Sequence, residues 1–262
     1  MSGIGATSTD SLTTALGLGP TGVTSVVGGG GKTTTIFRLG TELCAAARTV
    51  VVTTTTKFGT DQLRGPIVEL STPGDLRATI VSVSGEGYPV IVVERREGTK
   101  AFGIPADLVD DLPVHHVLVE ADGARRRSLK APAHYEPVIS PGTDLVVAVM
   151  GLTALGGVIS EVCHRPERVA GVTGASVSDT VDAQTYVTLA TSSDGAGRGV
   201  PSGARLAVIL SQVAEDRRDT AGEIAAGVLG GGGSGPPVER VVLVPHYRPG
   251  DDLEPPVEYL TA

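Results

Sequence analysis

Apolar residues along this chain come in short, nearly unbroken runs rather than in strict alternation. VTSVV (23–27), TVVVTTTT (49–56), YPVIVVE (88–94), HHVLVEADG (115–123), DLVVAVMG (144–151), RLAVILS (205–211) and RVVLVP (240–245) each read as a strand. Such runs arise where both faces of a strand are covered, as in a parallel sheet. Between the first two, Ile36, Leu39, Leu43 and Ala47 recur at helical spacing, which starts a helix near Lys32. Further helices are predicted near 73–84, where Pro73 follows Ser71 and Thr72, and over 105–111, 179–190 and 213–229. Strands and helices that alternate in this way specify an α/β fold: a three-layer, doubly wound, mostly parallel sheet. One domain is expected over 21–247, after a poorly ordered segment 1–20 and before a tail at 248–262. TSSDGAGRGVPSG (191–203) and the 230–237 stretch read as loosely ordered loops, and no internal repeat is evident.

The chain carries two tetraglycines, and their flanks separate them. In TSVVGGGGKTTTIFRLG (24–40) a β-branched strand leads into the glycines, and a helix follows Lys-Thr-Thr. Strand, glycine turn, lysine-threonine and helix is the order of a phosphate-binding loop, so the fold is predicted to be P-loop NTPase-like. Glycines let backbone N–H groups wrap an anion, and the helix start adds a favourable dipole. Gly28, Gly29, Gly30, Gly31, Lys32, Thr33 and Thr34 are the predicted cradle, with Lys32 on the terminal phosphates and Thr33 on a magnesium ion. The loop is shorter than the usual G-x-x-x-x-G-K-T, because Val26 stands where the first glycine would be. In GVLGGGGSGPPVER (227–240) the glycines follow a helix-like segment and precede Ser-Gly-Pro-Pro, which is linker composition.

Ligands of doubly wound sheets gather at the carboxyl ends of strands. There the chain offers VLVEADGARRRSLKAPAHYEP (117–137). Glu120 and Asp122 share one side of a continuing strand, which suits them to hold magnesium or its waters; Asp122 is the favoured ion-side group, and Glu120 that or a base. Gly123 would let the backbone pass close beneath a terminal phosphate. Arg125, Arg126, Arg127 and Lys130 form a basic knot that is either a solvated loop or an anion-recognition segment. Thr55, Thr56 and Lys57 end another strand and are candidate ligand contacts. MGLTALGG (150–157) is a ligand-side turn candidate, and Cys163 with His164 is read as a surface pair. The guanine-reading N-K-x-D is replaced by Ser211-Gln212-Val213-Ala214, which leaves ATP favoured over GTP.

Charge and composition exclude several classes. A net charge of -8 argues against nucleic-acid or anionic-membrane partners. Two distant cysteines suit a reducing cytoplasm, and no apolar stretch approaches the ~20 residues of a membrane span. The opening residues lack the basic start and apolar run of a secretory leader, so a cytoplasmic protein is expected.

VVGGGGKTT, VVTTTTKF, VLVEADGARRRSLKAPAHYEPVI, VVAVMGLTALGGVI and HRPERV, in that order, resemble the YqeC family of selenium-dependent hydroxylase accessory proteins, over about 22–245. The resemblance implies a nucleoside-triphosphate-binding protein that assists maturation of selenium-dependent molybdenum hydroxylases, with such a hydroxylase or another maturation protein as partner. It carries Gly28 to Thr33 over as the nucleotide site and Glu120, Asp122 and Gly123 as the ion side. The Arg125 to Lys130 loop, with His134 and Glu136, carries over as a substrate segment. Three readings stay open: magnesium-dependent hydrolysis or phosphoryl transfer, with Lys32, Glu120 and Asp122 as catalytic groups; nucleotide-gated binding with little turnover; and amide ligation, disfavoured by the short chain.

Overall fold

The structure, a computed structural model, describes residues 7–9, 11–70, 75–84, 87–246 and 256–262. Its centre is a ten-stranded sheet. In chain order the strands are β1 (Thr7–Thr9), β2 (Gly22–Gly28), β3 (Val50–Thr54), β4 (Ile67–Glu69) and β5 (Val90–Val93). They continue with β6 (His116–Glu120), β7 (Leu145–Gly151), β8 (Arg205–Val213), β9 (Val238–Pro245) and β10 (Val257–Thr261). Across the sheet the order is β1-β10-β9-β8-β7-β2-β6-β3-β5-β4. From β9 to β4 every pairing is parallel, and β10 runs antiparallel to both of its neighbours.

The unbroken apolar runs are explained by cover on both faces. Neighbouring residues of one strand go to opposite cores: Val26 packs with Ile36, Leu39 and Leu43, whereas Val27 packs with Tyr186, Leu189 and Ile224. On the first face lie α1 (Leu12–Leu16) and α2 (Lys32–Ala45). The opposite face carries α3 (Leu76–Val83), which buries Ile80 against Val51 and Val117. It also carries α4 (Ile159–Val162), α5 (Pro166–Thr173), α6 (Ala183–Thr191) and α7 (Arg218–Leu229). The expected α/β class and large, mostly parallel sheet are observed.

Several elements differ from the sequence reading. The strand predicted over 49–56 ends at Thr54, and the chain turns into a small antiparallel sheet formed by Lys57–Gly59, Lys100–Phe102 and Arg95–Glu97. The helix predicted over 105–111 is a single 3₁₀ turn, Ala106–Leu108, because Pro105 opens it and the buried Val109 and Leu112 end it within one turn. Asp182 caps α6 by accepting from the Thr185 amide, which moves the start from 179 to 183. Ser71, Thr72 and Pro73 lie outside the described residues, and α3 opens instead at Asp75, which caps the Arg77 and Ala78 amides.

The described parts of the terminal and loop segments make defined contacts. Within 1–20, α1 buries Leu12 and Leu16, and the Glu42 carboxylate of α2 accepts from the Leu12 and Thr13 amides at 2.9 and 2.8 Å. Within 248–262, β10 joins the sheet. Ala196 is buried, Arg198 reaches the Glu136 and His134 carbonyls, and the Gly235 amide donates to the Thr191 carbonyl. The second tetraglycine is thus a helix-ending turn, not a slack linker. Among the described residues no helix is long and apolar enough to cross a membrane.

Leu16→Ala should lower stability by about 2–5 kcal/mol, because a fully buried leucine is deleted. Urea unfolding reads this as a fall in midpoint at constant slope; an unchanged midpoint would contradict the packing of α1.

Candidate functional site

The glycine loop joins β2 to α2 at the carboxyl end of the sheet, with β6 and β7 on either side of β2. Gly28 (φ 95°) and Gly30 (φ 81°) occupy left-handed backbone, and a Cβ on either would run into the end of β7: the Val149 carbonyl at Gly28, the Gly151 backbone at Gly30. No side chain fits either place, so the glycines are explained by both conformation and close approach. The Gly29 amide donates to the Val149 carbonyl at 2.8 Å, and the Ser211 hydroxyl of β8 donates to the Gly30 carbonyl. Gly151 in turn takes a hydrogen bond from Tyr186 on its carbonyl at 2.8 Å. The amides of Gly30, Gly31, Lys32 and Thr33 have no acceptor among the described residues. They are unfilled donors around a helix start, and their residues line a cavity of about 860 Å³.

Charged groups pack closely under this loop. Lys32 Nζ donates to the Gly28 carbonyl at 2.8 Å and lies 3.2 Å from Asp122 Oδ1 and 3.9 Å from Glu120 Oε1. Asp122 Oδ2 accepts from the Gly28 amide at 3.0 Å and forms an ion pair with Lys130 Nζ at 2.8 Å. Its Oδ1 has the Lys32 ammonium as an ion-pair neighbour without a hydrogen bond. Thr33 Oγ1 donates to Glu120 Oε2 at 2.9 Å. Burial is the main influence on the Glu120 carboxyl and pushes its pKa up, against the Lys32 charge and the Thr33 hydrogen bond. Lys130 continues to the Gly123 carbonyl at 2.7 Å and to Glu136 at 2.9 Å, and Arg165 grips Glu136 through both oxygens at 2.6 and 3.0 Å. Burial works to raise the Glu136 carboxyl, but Arg165 and Lys130 outweigh it and hold the group below its ordinary range.

The structure sorts the residues singled out in the sequence. Gly30, Gly31, Lys32, Thr33, Thr34, Glu120, Gly123, Arg125, Arg126 and Lys57 line the cavity. Asp122 does not: it is 1% exposed and committed to the Gly28 amide and two lysines, so Glu120 rather than Asp122 is the carboxylate on the cavity side. The reason is that β6 ends at Glu120, which breaks the two-residue alternation that would have aimed both groups alike. Lys130 is likewise buried beneath the loop and is not a cavity contact. Thr55 donates to the Val138 carbonyl, and Thr56 meets Thr54; neither lines the cavity.

Cys163 is buried, not a surface residue, and burial pushes its thiol up to about 11. His164 is lowered to about 4, mainly by burial and then by neighbouring cations. The pair thus lacks the activated thiolate that adjacency could have suggested. Ser128 of the basic segment, Thr153 of the 150–157 turn and Gln212 share hydrogen bonds at the loop's edge, a meeting the sequence does not announce: Thr153 Oγ1 lies 2.6 Å from Ser128 Oγ and donates to Gln212 at 2.7 Å. In the sequence Gln212 follows the run RLAVILS; in the structure it lies within β8, and its positive φ of 59° was not readable.

Thr33 and Glu120 offer two adjacent oxygen donors at the cavity wall, a fit for a hard cation that keeps waters and takes its remaining ligands from phosphates. Among the described residues no three His, Cys, Asp or Glu side chains converge as a metal cage.

Comparison with known proteins places these features in a family context. The family described as YqeC protein matches residues 24–167, from β2 through the charged cluster to the start of α5. A relative from Escherichia coli (strain K12), named Uncharacterized protein YqeC, is 35% identical over 188 residues, covering 70% of this chain and 73% of the relative.

Because the folded Glu136 pKa lies below the unfolded one, its stabilisation is full above the unfolded glutamate range. It is lost as pH falls through the folded value. Glu136→Gln should cost about 1–3 kcal/mol at neutral pH, the worth of charged hydrogen bonds, and the gap to the parent should close in acid. Urea unfolding at both pH values checks the sign; a gap that widens in acid would refute it.

Proposed function

The chain belongs to the YqeC family, and from that premise and the glycine-loop geometry we propose that it is a magnesium-dependent nucleoside-triphosphate-binding protein. It hydrolyses the triphosphate or transfers its terminal phosphoryl group. The step serves maturation of selenium-dependent molybdenum hydroxylases, a context that comes from the family resemblance. The observation that carries the chemistry is the row of acceptor-free amides from Gly30 to Thr33, beside a lysine and on residues that line a large cavity. Amides so placed match a polyphosphate in charge and direction. The fold around them is read as P-loop NTPase-like.

Each residue takes a role from where it stands. The loop amides grip the phosphates, and Lys32 turns from the Gly28 carbonyl to the terminal phosphate. Thr33 and Glu120 would hold magnesium, which would supply neutralisation of phosphate charge. Asp122 is a positioning residue: it fixes the Gly28 amide and the lysine without reaching the cavity. A groove of about 120 Å³ on the other side of the loop, between Thr34, Ser211, Gln212, Pro245 and His246, is the place for the nucleoside. With Ser-Gln at the end of β8, ATP is the favoured nucleotide.

One observation favours a second reading, a nucleotide-gated delivery factor with little turnover. Lys32 is held inward by the Gly28 carbonyl and two carboxylates, so a triphosphate has to draw it out and loosen the contacts of Asp122 beneath. Nucleotide would then bias the loop between two arrangements, which is what a switch requires.

A thermal-shift panel of ATP, GTP and CTP with magnesium tests binding. A hundredfold excess over Kd should add about 2.7 kcal/mol to parent stability. Lys32→Ala and Thr33→Val should each lose most of that increment while unfolding cooperatively. No shift with any nucleotide in the parent, or undiminished shifts and turnover in both variants, overturns the proposal. Turnover that appears only with a partner hydroxylase selects the gated form.

A further inference from the structure

The cavity beyond the glycine loop has two walls from separate parts of the chain. One is the Gly123–Ser128 segment, which follows β6; the other is the Lys57–Gln62 segment with Thr99 and Lys100 of the small antiparallel sheet. Lys57, Lys100, Arg125, Arg126 and Arg127 stand on these walls with Lys32 at the base, against two acids, Asp61 and Glu120, among the described residues that line the cavity. Such an excess of cations in a chain of net charge -8 is a local field that selects anions.

Several of those cations are uncommitted. The side chains of Arg125 and Lys100 make no hydrogen bond or ion pair among the described residues. Lys57 lies 4.5 Å over the Phe102 ring, with no carboxylate partner among the described residues. Arg126 meets Asp61 at 3.2 Å in a pair 81% and 67% exposed, which solvent screens. Arg127 alone is spent internally, on the Glu161 carbonyl. The backbone adds a second observation. Arg125 (φ 47°) and Arg126 (φ 61°) are consecutive non-glycine residues in the left-handed region, a conformation of higher energy that the neighbouring Arg127–Ala124 and Lys130–Gly123 hydrogen bonds hold in place. Strain of this kind concentrates at ligand clamps.

Sheet order separates this region from the nucleoside. At the carboxyl ends, β8 and β9 carry the small groove, β2 the loop, β6 Glu120, and β3 leads to Lys57. A triphosphate laid along the loop from the groove would run toward Glu120, with the Gly123–Ser128 wall against the loop at Gly29 and Gly30 and the Lys57 and Lys100 wall on a separate part of the chain. The cavity, at about 860 Å³, lies in the upper part of the range for small-molecule sites and has room beyond it.

We infer that this region binds a second, anionic small molecule beside the nucleotide: a phosphate- or carboxylate-bearing compound held between Arg125 and Arg126 on one wall and Lys57 and Lys100 on the other. This rests on the nucleotide reading, since it places the second ligand at the terminal-phosphate end. Arginine forks and lysine point charges are suited to oxyanions of either kind.

The test loads the parent with magnesium and a non-hydrolysable analogue of the nucleotide that stabilises it, then titrates inorganic phosphate in one arm and succinate in the other. Calorimetry should show saturable binding in at least one arm, and the stronger arm names the oxyanion. The double variant Arg125→Ala/Lys100→Ala, changed only at exposed positions, should lose tenfold or more of that affinity with nucleotide affinity within twofold of the parent. No binding in either arm overturns the inference. So does an equal loss of nucleotide affinity in the double variant, which would make the basic walls part of the nucleotide site. If nucleotides fail to bind but phosphate or succinate binds in an Arg125- and Lys100-dependent way, the nucleotide proposal falls and the anion site stands.

Discussion

A buried aspartate between two lysines sets the geometry of this protein's loop. Asp122 takes the Gly28 amide on one oxygen, shares that oxygen with Lys130, and faces Lys32 with the other. The alternation continues outward through Lys130, Glu136 and Arg165. Charges inside a protein are tolerated only when each is compensated, and removing one member leaves its neighbours stranded. Here the compensation runs through the backbone as well: the Gly28 amide and carbonyl both join the network. The loop is therefore not a flexible glycine turn but a conformation set by electrostatics from below and steric fit from β7 beside it.

This division of labour accounts for why neighbouring acids act differently. Glu120 sits at the last residue of β6 and keeps contact with the cavity, while Asp122, two residues on, has left the strand and faces inward. The same carboxylate chemistry is thus structural at one position and available to a ligand at the other. Lys130 shows the same principle from the cationic side: its ammonium is consumed internally, whereas Arg125, five residues earlier, is left open.

Much of the fold was legible in the sequence because the parallel strands are covered on both faces, which writes itself as runs such as VVAVM and LAVIL. The glycine loop was legible from its flanks, since strand, glycines, lysine and helix are adjacent in the chain. What was not legible depends on contacts between distant segments. The short strands of the small sheet are too brief to show a period. Strand β10 lacks the unbroken run, because one flank of it is β1 alone. The burial of Asp122 and Lys130 follows from their meeting each other, and no local pattern announces that meeting.

The antiparallel pair β1 and β10 also bears on how the molecule behaves among copies of itself. Without it, β9 with its run Val241–Val242–Leu243 would leave a line of unpaired amides and carbonyls open to any extended chain nearby. At the far edge, β4 is only three residues long, too brief to template much. Residues far apart in sequence, 7–9 and 257–261, therefore act together as a selvedge that keeps a wide sheet from fraying into association.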